Sequence, residues 1–382
     1  MQREAVIVEA VRTPIGKRNG SLSGIHPADL SATVLRALAS RSGIDPGLVE
    51  DVVWGCVSQV GEQSFNIART AVLSADWPEH VPGTTVDRQC GSSQQAVNFA
   101  AASVTAGHCD IAVAGGVESM SRIPMWSAVP EGQSPFGRGY IERYGDEFPN
   151  QGIGAEQIAR KWGLTRQELD QFALTSHAKA AAAIDRGAFK TQIVPVKTDA
   201  GVFDTDEGIR RGGSLDSLAE VRSAFTEGGM ITAANASQIS DGAAALLIMT
   251  AERAHELGLT PIAAIDTVAV VGSEPMPMLT GPIPATEKLL ARKGIKIGDV
   301  GTFEVNEAFA SVVLAWLRET GADESRLNPN GGAIALGHPL GGSGARLMTT
   351  MLYHMRDNGI EYGLQTMCEG GGQANATLLR LL

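Results

Sequence analysis

What the chain lacks narrows its possibilities first. Cysteine is scarce: Cys56, Cys90, Cys109 and Cys368 are scattered through 382 residues, with no Cys-x-x-Cys pair and no metal-type spacing to histidine. A disulfide framework and a metal site are therefore not expected, and a reducing compartment fits. No apolar run approaches membrane-spanning length, so no membrane partner is expected. The N-terminus enters a β-prone stretch, Ala5-Val6-Ile7-Val8, with no targeting pattern before it, and Arg380-Leu381-Leu382 is not a peroxisomal signal. The expected location is the cytoplasm. Basic residues are outnumbered, 31 Lys and Arg against 42 Asp and Glu, and the net charge of -11 argues against nucleic acid as a partner. Nucleotide-binding signatures are missing too: Gly341-Gly342-Ser343-Gly344 is not followed by Gly-Lys-Ser/Thr, and no nicotinamide fingerprint occurs. Any anionic ligand must be met by local Arg or Lys.

What is present describes a globular chain of two or three domains, with 43% apolar and 19% charged residues. The 45 glycines imply tight turns and close backbone approaches. Strands are expected at 5–9, 51–57, 84–86 and 110–114, alternating with helices at about 27–40, 66–74 and from Ser92 to Thr105. That alternation predicts a sheet with crossover helices. The strand at 110–114 is expected to end at Gly115-Gly116, where the chain would leave the sheet. From about 119 to 237 the character changes. Residues 121–149 are rich in Pro, Gly, Trp and Met without period, helices are expected at 154–162 and 166–186, and a polar region follows with Asp204, Asp206, Glu207, Arg210 and Arg211. This reads as an inserted loop domain. Ser240-Asp241-Gly242 and the apolar run 243–249 return to a buried element.

The last part repeats the first. Asp51-Val52 up to Val57 matches Asp299-Val300 up to Val305, an offset of 248 residues (51 to 299), and the same offset leads from Cys90 to His338. Another glycine-serine turn follows His338, then a helix with Leu347, Met348, Met351, Leu352 and Met355 at helical spacing. A strand at 362–367 ends in Cys368-Glu369-Gly370-Gly371-Gly372, as 110–114 was expected to end in Gly115-Gly116. The expected division is 1–118 for one half, 119–237 for the insertion, 238–262 returning to the first half, and 263–382 for the second. Two similar halves about a pseudo-twofold axis would bring the Cys90 and His338 turns face to face.

Chemistry concentrates at those turns. Cys90 lies at a helix start, where free N–H groups and the helix dipole favour the thiolate, with Ser92 and Ser93 as candidate caps. His338 sits between two glycine-rich turns at the equivalent position, and a Cys–His pair is a recurrent nucleophile–base arrangement. Cys368 before three glycines is a candidate second acid/base, with N–H groups nearby for an oxyanion. Asn306, after the strand ending at Val305, is either a plain helix cap or a ligand-facing polar group.

The set Cys90-Gly-Ser, Asn306-Glu-Ala-Phe-Ala, Asn330-Gly-Gly-Ala-Ile-Ala-Leu-Gly-His338-Pro and Cys368-x-Gly-Gly-Gly strongly resembles the thiolases, the acetyl-CoA C-acyltransferases, over nearly the whole chain. The resemblance implies an α/β fold of five layers, αβαβα, made of two duplicated halves with an inserted loop domain, and a homodimer or homotetramer. It implies that Cys90 carries the acyl group, His338 is its base, and Cys368 moves the α-carbon proton. Asn306, through a water, and His338 would stabilise a thioester oxyanion, and the N–H groups of Cys90 and Gly370 would serve the acyl-enzyme. Coenzyme A would be a co-substrate with no permanently bound cofactor and no metal, held near Arg210, Ser237 and Phe309. Acyl-CoA and CoA are the implied partners. Gln151, in Asn150-Gln151, stands where short-chain biosynthetic members carry His-Met at the acyl pocket, and Glu369 stands where a small or apolar residue is usual. A strand geometry points Glu369 away from its neighbour's side, in a supporting role. The Gln-Cys-Gly-Ser-x-Gln-Gln run looks like that of actinobacterial thiolases acting on steroid-derived acyl-CoA. The expected activity is degradative cleavage of a bulky 3-ketoacyl-CoA. A biosynthetic acetoacetyl-CoA thiolase and a non-catalytic acyl-CoA-binding protein on the same fold are the alternatives. A decarboxylating ketoacyl synthase fits less well, because it would carry His or Asn in place of Cys368.

Overall fold

The computed structural model describes residues 3–147 and 149–382, so Phe148 of the irregular 121–149 segment lies outside the described residues. The chain begins β1 (Ala5–Arg12), β2 (Gly16–Lys17), α1 (Pro27–Ser42), β3 (Asp51–Gly55), α2 (Ile67–Ser74), β4 (Thr84–Val86), α3 (Ser92–Ala106) and β5 (Ile111–Ser119). The following stretch carries α4 (Arg138–Tyr144), α5 (Gln151–Lys161), α6 (Arg166–Asp185), a hairpin of β6 (Val196–Thr198) and β7 (Gly201–Phe203), and α7 (Leu215–Ala219). Then come β8 (Ser240–Thr250), α8 (Ala251–Glu256), β9 (Ala263–Gly272), α9 (Pro282–Lys293), β10 (Thr302–Val305) and α10 (Ala310–Thr320). The chain ends with α11 (Ala333–Leu336), α12 (Leu340–Asn358), β11 (Tyr362–Glu369) and β12 (Gln373–Leu381). Helix ends follow local chemistry. Proline opens α1 and α9, Asn150 and Thr165 cap α5 and α6, and left-handed glycines at 43, 107, 294, 321 and 359 close α1, α3, α9, α10 and α12.

The strands pair in the order β10-β11-β12-β9-β1-β8-β5-β3-β4, with β2 beside β8. This is two similar sheets joined where β1 meets β9 through Val6–Ala264 and Ile7–Ala263. Each half has a parallel pair, β3 with β5 and β10 with β11, followed by antiparallel partners β8 and β12. Alternate residues of β1 divide between cores: Val6, Val8 and Val11 face α1 and α2, whereas Ala5, Ile7 and Ala10 face α3 and α12. On the other half, α9 and α10 pack outward of β10–β12 around Phe303, Trp316 and Leu289. Helices α3 and α12 lie between the sheets, which completes five layers.

Strand register extends the duplication and corrects one expectation. Trp54 pairs with Gly115 and Thr302 with Gly363, so the 248-residue offset (54 to 302, 115 to 363) continues through the last strands. Gly115 and Gly116 do not end their strand. They pair with Ala245 and Ala244 inside β5, and the position equivalent to Cys368 is Met120, just past that strand.

The central helices touch through glycine. A Cβ at Gly344 of α12 would overlap Gln94 N and lie 2.7 Å from Gln94 Cβ. One at Gly341 would lie 2.7 Å from the Cys56 Cα. Across this contact Ser93 Oγ accepts from Ala345 N at 2.9 Å, and Gln365 Nε2 donates to Gln94 Oε1 at 3.0 Å and to Gly344 O at 2.8 Å. The polar run Ser92–Gln95 is thus fully buried, and it crosslinks the halves. Gly344→Ala is expected to destabilise the protein by about 3 kcal/mol or more, because the obstacle is backbone. Urea denaturation followed by circular dichroism checks this; an unchanged midpoint would mean that the helices are free to separate.

Candidate active site

The turn before α3 aims Cys90. Gln89 has φ +48°, in the left-handed region, and its counterpart Gly337, before His338, has φ +103°. A non-glycine residue there costs about 1 kcal/mol. Asp87 holds it by accepting from Gln89 N at 2.6 Å. Ser92 and Ser93 are not caps as expected: the cap position is Gly91, without a side-chain bond, and both serines are already helical. Ser92 Oγ instead accepts from Arg88 N at 2.9 Å and donates to Gln89 O at 2.6 Å, closing the turn on itself.

His338 is buried at the facing turn. Its Nδ1 lies 2.6 Å from Ser343 Oγ, which in turn donates to Pro339 O at 2.9 Å. With its one hydrogen committed to Pro339, Ser343 accepts from Nδ1–H, which leaves Nε2 with its lone pair in the site. Asn306 Nδ2 lies 3.4 Å from that Nε2. Asn306 is not a helix cap, since α10 begins at Ala310 with Phe309 at the cap position. Its Oδ1 is buried without a hydrogen-bond partner among the described residues. Burial, with the Arg346 guanidinium nearby, pushes the His338 pKa down to about 3, so the ring is neutral.

Cysteine electrostatics overturn the expectation of a thiolate favoured by the helix start. Burial pushes the Cys90 thiol up to about 12, the charge of Glu369 adds to this, and the backbone N–H opposes it only partly. Burial, with Cys90 and Glu369 beside it, also pushes Cys368 well up. The resting site therefore holds two neutral thiols and a neutral imidazole.

Two buried carboxylates lock the turns: Glu118, which the sequence did not single out, and Glu307, which it marked only as the neighbour of Asn306 in a polar pair at a strand-to-helix junction. Glu118 accepts from Val57 N, Ser58 N, Gln63 Nε2 and Gly341 N at 2.8–3.1 Å, which ties the start of α12 to the other half. Glu307 accepts from Ser176 Oγ at 2.6 Å, Asn328 Nδ2 at 2.9 Å and Ile334 N at 3.1 Å, which holds the segment leading to His338. A Glu that receives three or four hydrogen bonds leaves no periodic signature, so only the fold reveals it.

The four expected binding residues meet in one place. Arg210, Ser237, Phe309 and Gln151 line a cleft of about 730 Å3 that ends at His338. Lys17 and Arg18, which the sequence did not single out, stand on the same cleft. Met125, Gln151 and Leu340 are shared with a second, mainly apolar cavity of about 330 Å3, lined also by Val129, Phe136, Tyr140 and Met278. Gln89 and Gly370 face that cavity, beside Cys90 and Cys368 in the chain.

Comparison with known proteins agrees with this architecture. The family profile "Thiolase, N-terminal domain" matches residues 5–252, and "Thiolase, C-terminal domain" matches residues 259–381. The chain is 51% identical to the steroid 3-ketoacyl-CoA thiolase FadA6 of Mycobacterium tuberculosis, over 99% of this chain and 94% of that one. It is 44% identical to the 3-ketoacyl-CoA thiolase FadA of Escherichia coli, over 98% of each. With both domains matched almost end to end, and the duplicated turns meeting as the halves require, the chain belongs to the thiolase family.

Proposed function

We propose that this protein is a degradative 3-ketoacyl-CoA thiolase with a bulky, ring-bearing acyl substrate. The observation that carries the reading is a cation-edged cleft lined by His338 that adjoins an apolar cavity faced by Gln89 and Gly370, which flank Cys90 and the Cys368 segment in the chain. In the proposed cycle Cys90 Sγ attacks the 3-keto carbon and passes its proton to His338 Nε2. The bond between the α- and β-carbons then breaks. Its electron pair stays on the acetyl-CoA carbon, which takes a proton from Cys368, and the shortened acyl group remains on Cys90. The thiol of a second coenzyme A passes its proton to the Cys368 thiolate and attacks that thioester, and the departing Cys90 sulfur takes back the proton held on His338. Asn306 Nδ2 and the Cys90 and Gly370 N–H groups are the proposed oxyanion donors. Arg210, with Lys17 and Arg18, answers the phosphates of coenzyme A, while Ser237 and Phe309 flank its arm and Gln151 borders the acyl group.

The segment 119–237 serves in this reading as the substrate platform between the halves 1–118 with 238–262 and 263–382. A homodimer or homotetramer in the cytoplasm completes it. What supports assembly is the outer edge of β4 at the end of the sheet, with Phe65 95% exposed and Leu73 and Phe99 also exposed. Four free cysteines support a reducing compartment. Among the described residues no helix is long and apolar enough to cross a membrane.

Three experiments test the assignment. Cys90→Ala should retain its fold yet form no acyl adduct on incubation with a 3-ketoacyl-CoA, as read by intact mass. An adduct at normal yield would remove Cys90 from its role. Cys368→Ser should lose exchange of acetyl-CoA methyl protons with deuterated water while Cys90 is still acylated by a simple acyl thioester, a step that forms no carbanion. Equal loss of both would contradict the division of labour. Finally, kcat/KM should favour a ring-bearing 3-ketoacyl-CoA over acetoacetyl-CoA, because filling the apolar cavity beside Gln89 stabilises the transition state. A preference for acetoacetyl-CoA by about tenfold, or about 1.4 kcal/mol, would instead assign the short-chain activity.

A further inference from the structure

Glu369 ends β11 directly after Cys368 and, as strand geometry requires, points to the other side. What lies on that side is the residue following the nucleophile. A Cβ at Gly91 would overlap Glu369 Oε1 and stand 2.8 Å from its Cδ and 2.9 Å from Asn375 Nδ2. The carboxyl group thus fills the space that a side chain on Gly91 would occupy, and Asn375 Nδ2 donates to Gly91 O at 3.1 Å. Glu369 is fully buried, yet among the described residues neither of its oxygens has a hydrogen-bond partner. Asn375 Oδ1 and Arg88 Nε are likewise unpartnered.

Such a carboxyl is far more costly to bury charged than neutral. The charged and titratable groups around it are Asp87 and Arg88 from the turn before α3, Cys90 at its end, and Cys368 on its own strand. The strand β12 contributes the uncharged Gln373 and Asn375, and Gln373 Oε1 accepts from Arg88 Nη1 at 3.0 Å. Burial pushes the Glu369 pKa up to about 8, with Arg88 opposing and Asp87 adding.

We propose that Glu369 is a positioning residue whose charge state sets the reactivity of Cys90. As a neutral acid it packs against Gly91 without opposing a thiolate. As a carboxylate it places a second negative charge beside the sulfur that must become negative. Its consequence for turnover rests on the reading of Cys90 as the acyl-carrying nucleophile. The sign follows directly. Below the Glu369 pKa, reactivity of Cys90 rises with pH as the thiolate fraction grows; through that pKa the new carboxylate holds the thiol protonated and the rise flattens.

The test is alkylation of Cys90 by iodoacetamide in the whole protein without substrate, followed by peptide mass spectrometry across the pH range. The wild-type logarithmic rate should bend near pH 8. Glu369→Gln should abolish the bend and react about tenfold faster on the alkaline side, as expected when one charge close to the sulfur is removed. Arg88→Met, which removes the opposing cation, should move the bend to higher pH, and it carries the test if Glu369→Gln does not fold. A wild-type profile without a bend, a bend that persists in Glu369→Gln, or one that Arg88→Met leaves in place would each overturn the proposal. Because alkylation reads Cys90 alone, normal alkylation with no turnover of any 3-ketoacyl-CoA would count against the thiolase assignment and not against this role.

Discussion

Everything in this molecule depends on how closely the starts of α3 and α12 approach. Cys90 and His338 are 248 residues apart, and the helices that follow them touch because Gly344 lies against the Gln94 backbone, while Gly341 lies against Cys56. A single methyl group at either position would separate the helices or force the sheets apart. Glycine is therefore used here less for its flexibility than for its lack of a side chain.

Bringing two polar turns into a fully buried centre creates a second demand, which is that their backbone groups find partners. Glu118 and Glu307 meet it with converging N–H and side-chain donors, and Gln94 and Gln365 exchange hydrogen bonds across the halves. The same burial governs the reactive groups. Removed from water, Cys90 is held as a thiol and His338 as a neutral imidazole. A helix N-terminus, which favours a thiolate in a partly solvated setting, is outweighed here by desolvation.

The sequence signals that succeeded were those with a period, an order or a motif behind them. The offset between Cys90 and His338 reflects a repeated strand–turn–helix unit, and the register Trp54–Gly115 and Thr302–Gly363 extends it. The signals that failed were local rules applied to residues with remote partners. Ser92 and Ser93 have the chemistry of caps, but their hydrogen-bond partners lie within a turn and on α12. Gly115 and Gly116 have the chemistry of a strand end, yet they sit mid-strand because Trp54 and the Gly341 carbonyl occupy the space beside them.

By itself the amino-acid sequence determined the duplication, the alternation of strands and helices, and the positions of the two thiols and the histidine. Each of these is carried by residue type and spacing, which survive without coordinates. Only the tertiary structure decided the protonation of the cysteines, the tautomer of His338, the buried clamps Glu118 and Glu307, and the meeting of Glu369 with Gly91. Those depend on which groups lose water together and which atoms arrive within bonding distance, and distant segments of the chain settle that only when they pack.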